Sequence, residues 1–577
     1  MWSPKVRHER RRAPFRRQVW SIVEPPVSLS GTQARPRAND GTSSHFLDLS
    51  SNVRYRYAPK GGTLARTMGG NSMSLAKMLE ETAQRQPDHV ALLDEDDRQL
   101  TYRELDDLAS RLAGGLQEAG VGDGDRVAVM GGSHPEFVAT FYAIWKLGAI
   151  GVAINAQLSP EEVIYNLENS GATTAVADAG PLREMIDAVR SRAPALQTVL
   201  TIGEHVGEPI RAADIDESAD ATIFYTSGTT GLPKGATHTH RALGVQIDAV
   251  AERFAIDDRE LFISVLPLYL LSILILGPLL AVRTGSTCRL MRRYDARRFV
   301  ELVKKDGTTV VGASIPMMFS DLLDLPEDEA ANVDLSTIRY AFCGGSPMPP
   351  EIRRAFEERY DFRFVHAYGG TEGPAMVSTD PPSAERKFDS VGVPLDHIKV
   401  TIEDDDGNEL PIGELGEICT EPYATGPYTD LYEPMRTYWG MPEETEETLR
   451  GGKLHWGDIG RIDEDGYLYI VDRKKDMIIR GGMNVYPKEL EKLLYEDERI
   501  AECAVVGAPH DRYGEVPVAF VRPATDARLS EEEIAALVND RTARFKHLQS
   551  VQLVEDFPRN ALGKILKREL RADLEQG

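Results

Sequence analysis

The chain has 577 residues, with 66 Lys/Arg against 91 Asp/Glu for a net charge of −25, and 42% hydrophobic and 27% charged residues. That composition suits a folded protein of about three to five compact units and excludes a fibrous or wholly disordered chain. Four cysteines, none in a C-x-x-C pair, are too few for a disulfide scaffold, argue against a thiolate zinc site and fit a reducing cytoplasm.

Residues 1–72 hold 13 Lys/Arg and 4 Asp/Glu, a net of +9, so the remainder carries −34. An acidic body repels a phosphate backbone, which excludes non-specific nucleic-acid binding. A polyanion such as ATP would need local cations and a metal to approach it. The 1–72 segment shows no sustained periodicity and is expected to be a disordered basic extension. An Arg-rich transit peptide and a start at Met68 or Met73 are the competing readings.

From Met73, M-S-L-A-K-M-L-E-E-T-A opens an amphipathic helix. R-V-A-V-M-G (126–131) reads as a buried strand, H-P-E-F-V-A-T-F-Y-A-I-W-K-L-G as a helix with a glycine stop, and A-I-G-V-A-I-N as the next strand. This βαβ unit implies a parallel sheet covered by helices, and the alternation continues to about residue 370. Residues 261–282 lack charge and reach membrane-span length. Pro267, Gly277 and Pro278 divide them into a strand (L-F-I-S-V-L-P-L) and a buried helix (L-L-S-I-L-I-L), so no integral span is expected. After Ser390, short strands separated by D-D-D-G-N, E-L-G-E and D-E-D-G-Y turns predict a small β-barrel-like subdomain. Beyond Arg473 a strand–helix–strand pattern predicts a small α+β tail. The expected fold is therefore α/β: a large domain over 73–472, made of doubly wound αβ subdomains plus the barrel-like piece, followed by an α+β domain over 473–577.

Four motifs carry chemistry. Y-T-S-G-T-T-G-L-P-K-G (225–235) follows an apolar strand; its three glycines and four Ser/Thr hydroxyls can wrap phosphate, and Lys234 adds a point charge. It is not a Walker A loop. H-A-Y-G-G-T-E-G (366–373) offers Glu372 on a glycine-flanked loop, a suitable ligand for a hard cation such as Mg²⁺. In W-G-D-I-G and V-D-R-K-K-D, Asp458 suits two ribose hydroxyls and Arg473 a ribose or phosphate oxygen. P-R-N-A-L-G-K-I-L-K-R-E-L near the C-terminus reads alone as the solvated face of a last helix, Lys567 and Arg568 included. Taken singly, Y-G-G-T-E reads as a turn with a solvated Glu, and W-G-D-I-G with V-D-R-K-K-D as a surface turn with a charged run.

Together, and in this order over residues 73–577, the motifs resemble those of the adenylate-forming superfamily: acyl-CoA synthetases, peptide-synthetase adenylation domains and beetle luciferases. The resemblance implies that Thr226, Ser227, Gly228, Thr229, Thr230, Gly231 and Lys234 form the phosphate loop. It places Gly344, Gly345 and Ser346 beside adenine and the acyl group, Tyr368 and Gly369 at the adenine, Thr371 on the α-phosphate, and Mg²⁺ on Glu372. Asp458 and Arg473 become nucleotide contacts, Lys564 the catalytic lysine, Lys475 the hinge, and Gly481 and Gly482 the CoA-facing turn of a mobile C-terminal domain.

Two departures stand out. Asn560 replaces a usual Thr or Ser, and Leu270 replaces a His found in many relatives after P-L-[FY]. With Tyr269, Leu270 makes an apolar pocket wall, to which Met317 and Met318 are expected to add an adaptable surface. The implied activity is ATP-dependent acid–CoA ligation, on a medium- or long-chain fatty acid or a similar apolar acid. G-G-M-N-V-Y-P-K-E-L-E favours CoA over a carrier protein as acceptor. An acyl-AMP ligase loading a carrier protein, a luciferase-like monooxygenase and a non-catalytic nucleotide-binding relative are the alternatives. The expected partners are the acid, ATP and CoA in the cytoplasm, and a homodimer is left open.

Overall fold

Strand Arg126–Met130 lies parallel to Ile150–Ala153 through helix Pro135–Lys146, as the alternation predicts. Pro135 starts that helix at its first position, His134 caps it, and Gly148 at φ 72° ends the turn behind it. Capping boxes do the same for helices Tyr102–Glu118 (Thr101 with Glu104) and Pro160–Ser170 (Ser159 with Glu162). The computed structural model describes residues 73–226, 232–346, 348, 350–382, 385–525, 527–559 and 565–576. The readings placed on residues 1–72, 227–231, Asn560 and Lys564 lie outside them.

Repetition of this unit builds two sheets. One has seven strands, in the order Thr437–Tyr438, Lys234–Thr239, Asp220–Thr226, Ile150–Ala153, Arg126–Met130, Thr174–Ala177, Thr198–Thr201. The other has nine, running from Val393–Pro394 through Ser378–Thr379, Val365–Tyr368, Tyr340–Cys343, Val310–Ser314, Leu261–Ser264, Thr287–Leu290 and Val90–Leu93 to Gln99–Thr101. Helix Pro135–Lys146 is buried all round, with Phe137, Phe141, Tyr142 and Trp145 at 0% exposure. Such a helix belongs between layers rather than at a surface. Trp145 donates its indole N–H to the Ala221 carbonyl at 3.0 Å, so the buried polar atom is satisfied.

The uncharged stretch 261–282 is core. It gives strand Leu261–Ser264, then helix Leu271–Leu274, a wider turn at Ile275–Leu279 and helix Leu280–Thr284. Pro278 sits in the wide turn because it lacks the N–H that an α-helix needs. No helix among the described residues is long and apolar enough to cross a membrane.

The third region is the small β subdomain expected after Ser390. Lys399–Glu403, Gly416–Glu421, Leu454–Ile462 and Leu468–Arg473 form an antiparallel sheet of four strands in sequence order. On the far side of Leu468–Arg473, Val391 N donates to the Leu468 carbonyl at 3.0 Å and Leu468 N to the Gly392 carbonyl at 2.8 Å. Beyond it, Ile478–Arg480, Met483–Val485, Ile500–His510, Gly514–Pro523 and Ser550–Leu553 make a separate sheet with its own core of Val505, Val521, Leu490, Leu494 and Ile534. All four cysteines are free and buried.

Candidate active site

The parallel strands Tyr340–Cys343 and Val365–Tyr368 are neighbours, so the Gly344–Gly345–Ser346 turn and Tyr368 emerge at adjacent carboxyl ends. Ligands of open α/β sheets bind at such ends. Strand Asp220–Thr226 turns back antiparallel as Lys234–Thr239, with Thr226 opposite Lys234, so these two residues bracket positions 227–231 in the chain.

Asp458 joins three motifs. It lies opposite Arg473 in the antiparallel sheet, only 4% exposed, and its Oδ1 receives Arg473 Nε at 2.8 Å. Its Oδ2 accepts the Tyr368 hydroxyl at 2.7 Å. Each carboxylate oxygen has two acceptor sites, so each can accept one further hydrogen bond. Burial, then the Asp458 charge, pushes the Tyr368 phenol well above its ordinary range, and it stays a donor. Burial acts to lower the Arg473 pKa, but Asp458, Tyr368 and Glu372 outweigh it and hold the guanidinium charged. The Tyr368 ring also rests on Trp456, centroids 5.3 Å apart.

Loop 369–375 is held from several sides. A Cβ at Gly373 would lie 2.6 Å from Trp456 and 2.8 Å from the Tyr432 hydroxyl, so only glycine fits there. His238 Nε2 donates to the Thr371 carbonyl at 2.6 Å, Met435 N donates to the Glu372 carbonyl at 2.7 Å, and Tyr438 donates its hydroxyl to Glu372 Oε1 at 2.9 Å. The Lys234 ammonium stands 5.0 Å over the Tyr438 ring. Burial lowers His238 to about 4, so its imidazole is neutral. Motif reading missed His238 and Tyr438, and gave no role to Trp456 although it opens W-G-D-I-G. All three act through contacts with loop 369–375 or Tyr368, which nothing local in the sequence announces.

Other expected residues are placed apart. Tyr269 is buried, Leu270 is partly exposed and Met317 is 54% exposed, whereas Met318 packs in a core with Phe319 and Leu322. Lys475 lies exposed in the turn Lys474–Asp476. Gly481 and Gly482, at φ 60° and 82°, form the exposed tip of hairpin Ile478–Arg480/Met483–Val485. Lys567 is not a solvated residue: it pairs with Glu491 at 2.6 Å, and its side chain is 18% exposed. Helix Lys567–Gln576 packs on strand Ile500–His510, which brings its first residue inward.

Another cluster, Glu403, Cys419 and His455, has metal-ligand chemistry. Lys453 already neutralises Glu403, while Arg450 and Lys474 neutralise the neighbouring Glu417. Burial keeps Cys419 a thiol, so this cluster is a charge-balanced core network.

The AMP-binding enzyme family matches residues 79–428, and the AMP-binding enzyme C-terminal domain matches residues 489–564. The chain belongs to the AMP-binding enzyme family. It is 36% identical to a feruloyl-CoA synthase of an Amycolatopsis species, over 82% of this chain and 93% of that one. To the long-chain-fatty-acid–CoA ligase FadD13 of Mycobacterium tuberculosis it is 35% identical, again over 82% and 93%. Among solved structures, o-succinylbenzoate-CoA synthetase of Bacillus subtilis, in complex with its acyl-adenylate intermediate, superposes with a TM-score of 0.75 at 28% identity, over 86% of this chain and 97% of that one. These relatives place the AMP-binding enzyme within the acyl-CoA synthetase branch of the adenylate-forming superfamily, as an AMP-forming acid–CoA ligase.

Proposed function

We propose that this ligase activates an apolar-tailed carboxylic acid on the residues gathered around Asp458 and Glu372, and hands the acyl group to CoA from its C-terminal domain. The joining of Tyr368, Asp458 and Arg473 at one buried carboxylate carries this reading. Asp458 takes the ribose hydroxyls, Arg473 a ribose or phosphate oxygen, and Tyr368 with Gly344, Gly345, Ser346 and Gly369 borders the base. Thr226, Lys234 and loop 227–231 enclose the phosphates, and Thr371 contacts the α-phosphate.

The acid's carboxylate oxygen attacks the α-phosphorus, a new P–O bond forms, and the bond to the β-phosphate breaks, releasing pyrophosphate. Two anions must meet, so preorganised positive charge at the phosphates is the central requirement. Glu372 fits a bound Mg²⁺: it is a half-buried carboxylate with one oxygen tied to Tyr438 and no hydrogen bond or ion pair to the other among the described residues. The ion would neutralise phosphate charge. Lys234, which makes no ion pair among the described residues, adds a cation on the same side, and Lys564 supplies another at the leaving group. In the second half-reaction the CoA sulfur attacks the acyl carbonyl, gives up its proton, and expels AMP. For this step Lys475 serves as the hinge that withdraws Lys564 and brings up the Gly481–Gly482 hairpin.

Tyr269 and Leu270, which lead into the apolar helix Leu271–Leu274, support an apolar acid; Met317 adds an exposed wall. The free buried cysteines suit a reducing cytoplasm. The test separates the half-reactions. Lys564→Ala is expected to lower acid-dependent pyrophosphate release at least about 100-fold while thioester formation from supplied acyl-AMP and CoA stays within a few-fold. Equal loss of both overturns the two-state reading. Pyrophosphate release across aliphatic, aromatic and alicyclic acids, with and without CoA, identifies the acid and the acceptor.

A further inference from the structure

The seven-stranded sheet ends in a two-residue edge strand, Thr437–Tyr438, about 200 residues further along the chain than its neighbour Lys234–Thr239. Tyr438 pairs with Ala236 and Thr437 with Thr237, and Trp439 N donates to the Gly235 carbonyl at 2.8 Å. Thr445 Oγ1 accepts from Tyr438 N at 3.0 Å and bonds the Thr437 hydroxyl at 3.1 Å, which fixes the strand from its other side. The Tyr438 side chain therefore has little freedom, and it is only 5% exposed.

That side chain touches both phosphate-side elements. Its hydroxyl binds Glu372 Oε1 at 2.9 Å, and its ring carries the Lys234 ammonium at 5.0 Å. A free glutamate on a glycine-flanked loop samples many rotamers, and fixing it on binding costs entropy. With Oε1 tethered, Oε2, which makes no hydrogen bond or ion pair among the described residues, is the oxygen left for a cation. Resting on the proposed role of Glu372, we infer that Tyr438 is a positioning residue that orients the metal-holding carboxylate and registers it against Lys234. A tyrosine hydroxyl is a protonated donor at neutral pH. It is thus a permanent donor and does not compete for the cation.

The phenylalanine variant tests this, because it keeps the ring under Lys234 and removes only the hydroxyl. ATP binding is measured by calorimetry without acid, in EDTA and across a Mg²⁺ series. Tyr438→Phe is expected to bind ATP in EDTA within two-fold of the unmodified enzyme, but to need about ten-fold more Mg²⁺ for half of the metal-dependent gain in affinity. Tyr438→Leu, which removes the ring as well, is expected to weaken binding in EDTA too. A Mg²⁺ requirement unchanged in Tyr438→Phe overturns the proposal, as does an equal loss with and without Mg²⁺, which would mark a purely structural tyrosine. Glu372→Gln in the same titration separates the levels: if it leaves the Mg²⁺ dependence intact, the metal-holding role of Glu372 falls, and that of Tyr438 with it.

Discussion

The nucleotide side of the molecule and the C-terminal sheet are built to opposite specifications. Around Asp458 and Glu372 the side chains are tied before any substrate arrives. Tyr368, Arg473, Tyr438 and His238 each have a hydrogen-bonded partner at 2.6 to 2.9 Å, and Gly373 is clamped under Trp456. The hairpin of the C-terminal sheet instead projects Gly481, Gly482, Ile479 and Met483 into solvent, the last two at 50% and 46% exposure. Preorganised dipoles serve a step in which charge builds up at fixed phosphates. A surface that works only after a rotation cannot be tied down in advance. The contrast supports giving adenylation to the first region and thioester transfer to the second.

Removing the carboxylate at the hub gives the largest effect. Asp458→Ala leaves the Tyr368 hydroxyl and the partly exposed Arg473 guanidinium without their acceptor, a loss of about 1–3 kcal/mol for each group left unpaired. Acid-dependent pyrophosphate release should fall about 100- to 1000-fold. Because AMP stays bound through both half-reactions, thioester formation from supplied acyl-AMP should fall as well, unlike in Lys564→Ala. Asp458→Asn keeps one acceptor and should lose about ten-fold. If Asp458→Ala spares the second half-reaction, the hub serves only the first.

Acid separates the regions next. The imidazoles of His238 and His240 are lowered to about 4, and that of His397 to about 3, by burial, and none of the three lies in the C-terminal sheet. A histidine that binds its proton less tightly when folded contributes stability above its unfolded pKa of about 6.5, and that stability is lost as pH falls toward 4. For His238 alone, moving from pH 7.5 to pH 5 costs about 2 kcal/mol. Hydrogen exchange at the two pH values, corrected for intrinsic rates, should show strand Lys234–Thr239 losing protection. His238→Gln, which can still donate to Thr371, should reduce that loss. Equal pH sensitivity in the variant would remove His238 as its source.

The alternation of strand and helix was legible because apolar spacing and stops are local. The periodicity of helix Pro135–Lys146 and the stop at Gly148 need no distant partner. Motif order likewise placed Tyr368, Asp458 and Arg473 in one site. What stayed hidden is what depends on contacts far along the chain. Tyr438 stands in an unremarked T-Y-W-G and meets Glu372 only because its strand joins a sheet begun 200 residues earlier. Lys567 looks solvated in a run of charges until its helix lies on the strand Ile500–His510 and brings it to Glu491.

The smallest effect tests the second region alone. In the two-residue turn of hairpin Ile478–Arg480/Met483–Val485 both central residues have positive φ, the geometry that matches strand twist and that non-glycine residues reach at a cost of about 1 kcal/mol. A Cβ at Gly482 would meet nothing within 4 Å, so Gly482→Ala strains the backbone without a clash. Pyrophosphate release should stay within two-fold, while thioester formation from acyl-AMP and CoA slows about five-fold. Gly482→Asn, which tolerates this conformation better, should recover most of the rate. If the alanine variant slows neither step, the shape of the turn is not used by CoA. If it slows both equally, the hairpin already serves adenylation and the division of labour between the two regions is wrong.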